Sequence, residues 1–322
     1  MYGLKDLKPV ITITASYIEC PVRGCDHRVQ RRHKSDHAEA RFQCPEHRIY
    51  ISPTTFEYPD EKDNLLWKEE ADLALLEAIK VVKREIRMEH DNSEDAVTWN
   101  VFRYLENANL LRGFLSWFTG REQGRTDLIY WSYSQNDKGA FPGLDKARKE
   151  FGEHLQRSSE PDLIAVTDQA LFFLESKLTS NNETLPSDPK NHKKYLTGDA
   201  WFKGVFASDF DTVVVQAKKY ELFRFWLLGS WMAAQIKRDF YLVNIVPSAR
   251  EINIEARIIP YLQPDKSRHF MRLAWEDIYH WGSRHAPEGE TKNKWMSFFE
   301  NKSMGYDQSQ NLQRAFSMPM NT

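Results

Sequence analysis

The sequence predicts a mixed α/β fold that carries a small metal-binding module at its N-terminus. Between residues 91 and 250, apolar runs of strand length alternate with segments whose apolar residues recur at helical spacing. All three cysteines of the 322-residue chain lie before residue 58. The predicted parts, in order, are a zinc-binding module over 1–58, a connector helix over 59–90, an α/β core over 91–250, and a C-terminal extension and tail over 251–322.

The N-terminal module is predicted from Cys20, Cys25, Cys44 and His47. A Cys-x4-Cys pair followed by a Cys-x2-His pair offers four ligands, which is the ligand set of a structural tetrahedral Zn²⁺ site. Three sulfurs cannot all pair as disulfides. Because the sequence shows no secretory signal and no long apolar span, we expect a reducing, cytoplasmic location and no membrane partner. The alternative to a metal site is that the three cysteines are free and buried. Within a metal site, the fourth ligand could be another histidine in place of His47, namely His27, His33 or His37.

The loop between the two ligand pairs is basic. Its positive residues, Arg23, Arg28, Arg31, Arg32 and Lys34, are interrupted by only one acid, Asp26. Such a loop could hold phosphates without reading a base sequence. A solvated loop that binds nothing is equally consistent with the pattern.

A helix and a strand are expected ahead of the most informative segment. Apolar residues recur at helical spacing in the connector, at Leu75, Ile79, Val82 and Ile86. The next helix begins near Ser93, whose hydroxyl can cap it, and Glu94 stands at the head of an apolar stripe. Glu94 could instead serve only the helix dipole. An apolar run over 128–133 predicts a strand.

The most informative segment is a predicted β-hairpin that spans residues 161–178. Two apolar runs flank the polar pair at 168–169, so a two-residue turn there sets an antiparallel register. Counting outward in that register places Asp162 directly opposite Glu175.

The charges of this hairpin predict a divalent metal site. Directly opposed side chains have Cβ atoms about 5 Å apart, and like charges at that distance are destabilising unless a cation neutralises them. Lys177 shares the face of Glu175, so its ammonium could hold a water beside the ion. Mg²⁺, or Mn²⁺ in its place, suits carboxylate oxygens, phosphate and water. The alternative is a solvated Glu/Lys ladder on a surface hairpin, which the wholly apolar run 171–174 disfavours.

Further elements follow the hairpin. Residues 179–199 are polar, and we expect a mobile lid or an ordered insertion there. Gln216 and Tyr220 are expected one turn apart on the next helix. A buried strand is expected over 240–246, and a strand with a short helix over 270–281. The last twenty or so residues are polar and are expected to form a loose tail.

Asp162 after Pro161, followed after twelve residues by Glu175-Ser176-Lys177, resembles the signature of the PD-(D/E)XK nuclease superfamily. The predicted order of helix, strands, helix and strand resembles its restriction-endonuclease-like αβββαβ core, if 128–133 supplies the first strand. The Gln-x3-Tyr pair resembles the extra motif of the RecB-like branch. The resemblance covers roughly residues 91–250.

The resemblance implies a hydrolase of phosphodiester bonds. The catalytic residues that it implies are Asp162, Glu175, Lys177, Glu94, Gln216 and Tyr220. Among these, Asp162, Glu175 and Glu94 would bind magnesium together with the carbonyl of Ser176. Lys177 would orient the attacking water, and Gln216 and Tyr220 would have a supporting role.

The expected activity is that of a deoxyribonuclease, with endonucleolytic cutting favoured and a role in bacterial defence as the analogy of fold suggests. An RNA-cleaving nuclease of the same fold is one alternative, and a non-catalytic zinc-containing nucleic-acid-binding or adaptor protein is another. A homodimer or a partner protein is expected. Lys and Arg number 44 against 46 Asp and Glu, so no global positive field attracts nucleic acid.

Overall fold

A computed structural model describes residues 1–33, 39–83, 86–154, 159–186 and 199–318. These residues form two compact units. The first unit draws on the described residues of Met1–Leu73, Ile86–Ala108 and Trp275–Thr322. The second draws on those of Ala74–Glu85 and Asn109–Ala274. The predicted mixed α/β class is confirmed.

The regular elements are numbered along the chain. The strands are β1 (Tyr17–Glu19), β2 (Arg28–Gln30), β3 (Tyr50–Ile51), β4 (Phe56–Glu57), β5 (Thr126–Tyr130), β6 (Tyr133–Ser134), β7 (Gly139–Ala140), β8 (Leu163–Thr167), β9 (Ala170–Ser176), β10 (Asp239–Val246), β11 (Arg268–Ala274), β12 (Ser303–Tyr306) and β13 (Leu312–Arg314). The α-helices are α1 (Glu70–Val82), α2 (Glu94–Asn107), α3 (Leu111–Thr119), α4 (Pro142–Glu150), α5 (Asp199–Val205), α6 (Tyr220–Ile236), α7 (Ile254–Ile258), α8 (Trp275–His285) and α9 (Glu290–Asn301).

In the first unit, helix α2 begins where the sequence predicts. The Ser93 hydroxyl accepts a hydrogen bond from the Ala96 amide at 3.0 Å and caps the helix. The predicted apolar stripe is buried, but so is every residue from 96 to 105. Helix α2 therefore lies inside its unit on all sides, rather than resting on a core with one face.

The two ends of the chain meet in the first unit. The Ile11 amide donates to the Gln310 carbonyl at 3.3 Å, and the Leu312 amide donates to the Pro9 carbonyl at 2.8 Å. Tyr306, in β12, belongs to the same apolar cluster as the three cysteines. The expectation of a loose tail was wrong for residues 303–318, because long-range backbone pairing orders them.

The second unit is built around a seven-stranded mixed sheet in the order β11-β10-β9-β8-β5-β6-β7. Strands β5, β8 and β9 pair antiparallel, whereas β10 runs parallel to both β9 and β11. Helix α6 connects β9 to β10 along the chain and packs on both. A Cβ at Gly229 of α6 would lie 2.1 Å from the Phe240 ring, so only glycine permits this close approach.

A buried ion pair anchors α6. The guanidinium of Arg224 donates to Glu153 Oε1 at 2.6 Å and Oε2 at 2.5 Å, and its Nη1 donates to the Ser159 carbonyl at 2.7 Å. Both side chains of the pair are almost fully buried. Two parallel charge-assisted hydrogen bonds fix the guanidinium plane, so this pair fixes the rotation of α6 about its axis.

This division of the chain differs from the four consecutive parts expected from the sequence. Helix α2, expected to open the core, belongs to the unit that also contains the N-terminal cysteines and residues from 275 onward. Long-range packing causes the difference, because apolar periodicity reports which face of an element is buried and not against which other element.

Candidate active site and metal centre

The four predicted zinc ligands converge in the first unit. The ligand atoms of Cys20, Cys25, Cys44 and His47 all lie within 4.8 Å of one another. Cys25 Sγ is 3.7 Å from Cys44 Sγ, and His47 Nδ1 is 3.8 Å from Cys20 Sγ and 3.7 Å from Cys44 Sγ. The cysteines are free and buried, and these side chains form a group that could hold a metal ion.

The spacing of these atoms matches a tetrahedral zinc shell. With Zn–S of about 2.3 Å and Zn–N of about 2.0 Å, two sulfurs lie roughly 3.8 Å apart and a sulfur and a nitrogen roughly 3.6 Å apart. The observed separations of 3.7–3.8 Å agree with both values. Burial raises the pKa of the Cys20 and Cys25 thiols, so a cation is needed to favour their thiolates at neutral pH.

The choice of His47 as the fourth ligand is supported over its rivals. His27 Nε2 faces Glu46 at 3.7 Å on the surface and is not in the cluster. His33 is exposed and also lies outside the cluster, and His37 lies outside the described residues.

The basic loop is partly engaged in the structure of its own unit. Arg31 donates to the Thr14 carbonyl at 2.8 Å, and Arg32 pairs with Glu57 at 2.7 Å. The guanidinium of Arg28 lies over the Tyr17 ring at 4.7 Å. Lys34 lies outside the described residues. Fewer of these charges are available to phosphates than the sequence pattern suggests.

In the second unit the hairpin has the predicted register. Leu163 opposes Leu174 and Val166 opposes Leu171, which leaves 168–169 as the turn. Continuing this register by one residue places Asp162 opposite Glu175. Asp162 Oδ2 accepts from the Ser176 amide at 2.8 Å and Oδ1 accepts from Trp131 Nε1 at 3.1 Å. The carboxylate thus lies across the end of β9.

Lys177 joins two carboxylates at the same end of β9. Its Nζ donates to Glu175 Oε1 at 2.6 Å and to Glu221 Oε2, from the first turn of α6, at 3.1 Å. Glu175 is 3% exposed, and its Oε2 is buried without a hydrogen-bond partner among the described residues. A buried acceptor without a partner is uncommon in proteins and marks this oxygen as a candidate ligand atom.

The pKa values of these groups have clear physical causes. Burial raises the pKa of Glu175 well above its ordinary value, Lys177 opposes this effect, and Asp162 adds to it. Burial acts to lower the pKa of Lys177, but the charges of Glu175, Glu221 and Asp162 outweigh burial and raise it. Lys177 is therefore a cation, and Glu175 is the acid whose protonation depends most on a neighbouring positive charge.

Gln216 and Tyr220 do not lie on one helix, so that prediction was wrong. Gln216 is exposed at the end of a π-helical segment, Asp211–Gln216, whereas Tyr220 is the first residue of α6. Between them Lys218 has φ +53°, in the left-handed region, and this breaks the helix.

Lys219, the residue before α6, is 1% exposed. Its Nζ lies 3.8 Å from Glu251 Oε1, and burial lowers its pKa. Glu251 also accepts from the Asn182 amide at 3.1 Å, and Asn182 Nδ2 donates to Asn244 Oδ1 at 2.9 Å. Asn244 Nδ2 in turn donates to the Glu175 carbonyl at 3.4 Å. This polar network supports the backbone at the end of β9.

Two further residues of the predicted metal shell are Glu94 and Ser176. Glu94 is half-buried at the start of α2 in the first unit, so its part in a shell with Asp162 and Glu175 stays a prediction. Ser176 ends β9, and its hydroxyl is buried without a hydrogen-bond partner among the described residues. The polar segment 179–199 lies outside the described residues over 187–198.

Sequence reasoning missed Trp131 and Glu221. Trp131 lies just beyond β5 at φ +42°, which aims its indole at Asp162, and no motif signals this conformation. Glu221 is an acid in the first turn of α6, which the helix dipole alone could explain. Its contact with Lys177 depends on how α6 packs on the sheet.

Comparison with known proteins gives no match: no protein-family model, no curated protein and no solved structure matches this chain. The resemblance drawn from the hairpin motif therefore stays a prediction. No helix in the described part of the chain is long and apolar enough to cross a membrane.

Proposed function

We propose that this chain is a metal-dependent nuclease of the PD-(D/E)XK type, with its catalytic groups in the second unit. The observation that carries the proposal is the end of β9, where Glu175 is buried with one oxygen unpartnered, beside Asp162 and Lys177. A fold seldom keeps a buried acid in this state for stability alone, since the desolvation of a carboxylate is costly.

The topology of the second unit supports this proposal. Three antiparallel strands, β5, β8 and β9, are followed by α6 and then by β10 parallel to β9. This order of strands, helix and strand corresponds to the βββαβ portion of a restriction-endonuclease-like core. The expected first strand at 128–133 overlaps β5, which ends at Tyr130, and residues 131–132 form a turn instead of continuing the strand.

The oxygen atoms at the end of β9 are suitable ligands for a hard divalent cation. Carboxylate oxygens are the ligands that Mg²⁺ prefers, and the buried Oε2 of Glu175 offers one. Asp162, Glu175 and the Ser176 carbonyl would hold the ion. When bound, Mg²⁺ or Mn²⁺ would lower the pKa of a water and neutralise charge on the phosphate.

The remaining roles belong to the chain's own groups. Lys177 keeps its proton and can hold the attacking water or a phosphate oxygen through its ammonium. Trp131 and the Ser176 amide orient Asp162, and Glu221 fixes Lys177 from α6. The supporting role of Gln216 and Tyr220 rests on the resemblance alone.

For the first unit we propose that Cys20, Cys25, Cys44 and His47 hold a structural Zn²⁺. A closed set of three thiolates and one imidazole leaves no open position for substrate, so this ion would stabilise the fold and take no part in hydrolysis. Support comes from the convergence of the four ligand atoms within 4.8 Å of one another and from three separations of 3.7–3.8 Å among them.

DNA is the substrate we propose first, from the resemblance, with RNA as the alternative. The test is a panel of single-stranded DNA, duplex DNA and RNA incubated with Mg²⁺ or Mn²⁺. Circular substrates separate endonucleolytic from exonucleolytic cutting. The wild-type protein should cut at least one of these, and Lys177→Ala and Asp162→Asn should lower the rate by about 10² or more.

The matched control is Glu122→Gln, an acid on the surface of the same unit whose side chain is 82% exposed. It should cut at the wild-type rate. Circular dichroism and thermal unfolding of each variant separate loss of chemistry from loss of fold. If Lys177→Ala and Glu122→Gln cut equally well, the assigned site is wrong. If the folded wild-type protein cuts none of the substrates, the nuclease proposal fails and a binding role replaces it.

A further inference from the structure

A second candidate site lies in the second unit, away from the hairpin charges. It is a groove of about 440 Å³ at the start of β10 and β11, where Arg238 precedes one strand and Arg268 opens the other. The parallel register of β9 and β10 places Glu175 and Lys177 at the opposite end of these strands. Six residues of strand separate the two ends, which is roughly 20 Å.

Ser230 and Arg268 line this groove, and both side chains are largely buried. Ser230 is 3% exposed, and its hydroxyl makes no hydrogen bond with the described residues. The Nε of Arg268 is likewise buried and unpartnered within the described part of the chain. These two atoms have almost no accessible surface, so a ligand in the groove would be held by Arg238 and by the exposed part of the Arg268 guanidinium.

The charge of the groove favours an anion. Arg268 Nη2 donates to Asp265 Oδ2 at 3.0 Å and to the Gly204 carbonyl at 3.0 Å, which holds the guanidinium in place. Asp265 is also occupied by the Ser267 amide and hydroxyl, at 2.7 and 2.6 Å. Because Arg268 neutralises Asp265, the net charge of the groove is the positive charge of Arg238.

The groove is larger than a phosphate and has an aromatic wall. Trp201 of α5 lines it, and a Cβ at Gly204 on the same helix would meet nothing within 4 Å. Guanidinium groups match phosphate oxygens, and an indole can stack on a nucleobase. We propose that this groove binds a nucleoside 5′-phosphate, with its phosphate on Arg238 and Arg268 and its base on Trp201.

This proposal is independent of the nuclease assignment, and its test needs no cutting. Calorimetric titration of the full chain with adenosine 5′-monophosphate should give saturable binding. Inorganic phosphate and adenosine should each bind at least about tenfold more weakly, because each supplies half of the contacts. If a 5′-phosphorylated oligonucleotide competes with adenosine 5′-monophosphate and its 5′-hydroxyl form does not, the groove binds the end of a nucleic-acid strand. If neither form competes, the groove binds a free nucleotide.

Two variants test whether the nucleotide binds in this groove. Arg238→Gln should weaken it by about tenfold or more, as for loss of a charge-assisted hydrogen bond. Gly204→Leu should block the groove without disturbing the core, because its side chain would enter open space. Arg125→Gln, which alters an arginine with a side chain 79% exposed in the same unit, is the control and should bind as the wild type does. The proposal is overturned if no nucleotide binds, if phosphate alone binds as tightly, or if both groove variants bind normally.

Discussion

Trp131 is the residue whose role the structure defines most sharply beyond the hairpin motif. Its indole Nε1 donates to Asp162 Oδ1 at 3.1 Å, and Lys83 Nζ lies over its ring at 4.6 Å. The indole thereby fixes one oxygen of a carboxylate whose other oxygen is held by a backbone amide. In the proposed nuclease, Trp131 would be a positioning residue that acts through Asp162.

We expect Trp131→Phe to lose this hydrogen bond while it keeps most of the apolar volume. The unfolding free energy should fall by about 1.5–3 kcal/mol, since the acceptor is charged. The cutting rate should fall about tenfold, because Asp162 is oriented less well. Trp117→Phe, at a side chain 43% exposed, should change neither quantity. A Trp131→Phe enzyme with an unchanged rate would show that the indole is only structural.

Glu175 gives a prediction about pH in metal-free protein. Its pKa in the folded state is raised by burial, so the folded state binds a proton at pH values where the unfolded chain has released it. The unfolding free energy should therefore fall as pH rises from the ordinary Glu range to the raised value, by up to about 1.4 kcal/mol per pH unit.

Glu175→Gln removes this titration and should flatten that part of the curve. Denaturant unfolding in chelator across roughly pH 4 to 9 measures it. Glu122→Gln is again the control and should keep the wild-type slope, since its side chain is 82% exposed. Parallel curves for wild type and Glu175→Gln would contradict the raised pKa.

At the level of elements, the break between Gln216 and Tyr220 can be tested directly. Lys218 has φ +53°, which costs about 1–2 kcal/mol for a residue with a Cβ and more for a β-branched one. Lys218→Val should lower the unfolding free energy by about 1–2 kcal/mol, and Lys218→Gly should leave it within about 1 kcal/mol. Gln235→Val, at an exposed helical position in α6, should cost only about 0.5 kcal/mol. Equal costs at the two Val positions would mean that Lys218 is helical.

The elements also show how far sequence reasoning reaches. The hairpin register was predicted correctly because a two-residue turn and the two-residue period of strands determine it locally. The cluster of Cys20, Cys25, Cys44 and His47 was predicted because metal ligands repeat at short spacing. The helix through Gln216 was wrong because a single left-handed residue is invisible in an apolar pattern.

Contacts between residues far apart in the sequence could not be predicted from the sequence. Nothing in the polar sequence of 303–318 signals its pairing with residues 9–13, and nothing in Glu221 signals its contact with Lys177. Such contacts depend on tertiary packing, which local propensity and periodicity do not encode.

For the molecule as a whole, the zinc proposal predicts a response at both ends of the chain. Tyr306 and the three cysteines pack together in the first unit, and β13 pairs with the N-terminal segment through Leu312. Chelation should therefore increase hydrogen exchange in peptides that cover 303–314 as well as those that cover 17–50. Peptides from α3, which holds no proposed metal ligand, serve as an internal reference.

Metal content should be about one zinc per chain in protein purified without chelator. His47→Ala should lose the zinc and show the same increase in exchange. His27→Ala is the matched control, because His27 is exposed and outside the cluster. Full zinc content in His47→Ala would reject this ligand set.

The buried Arg224–Glu153 pair has a consequence for how the candidate nuclease site would work. Glu221 and Arg224 are one turn apart on α6, so the same helix positions a carboxylate on Lys177 and a guanidinium on Glu153. A rotation of α6 that moved Glu221 away from Lys177 would also separate Arg224 from Glu153 and leave two buried charges unpaired. The electrostatic environment of Lys177 is thus preorganised, and little reorganisation energy would remain to be supplied when a phosphodiester arrives.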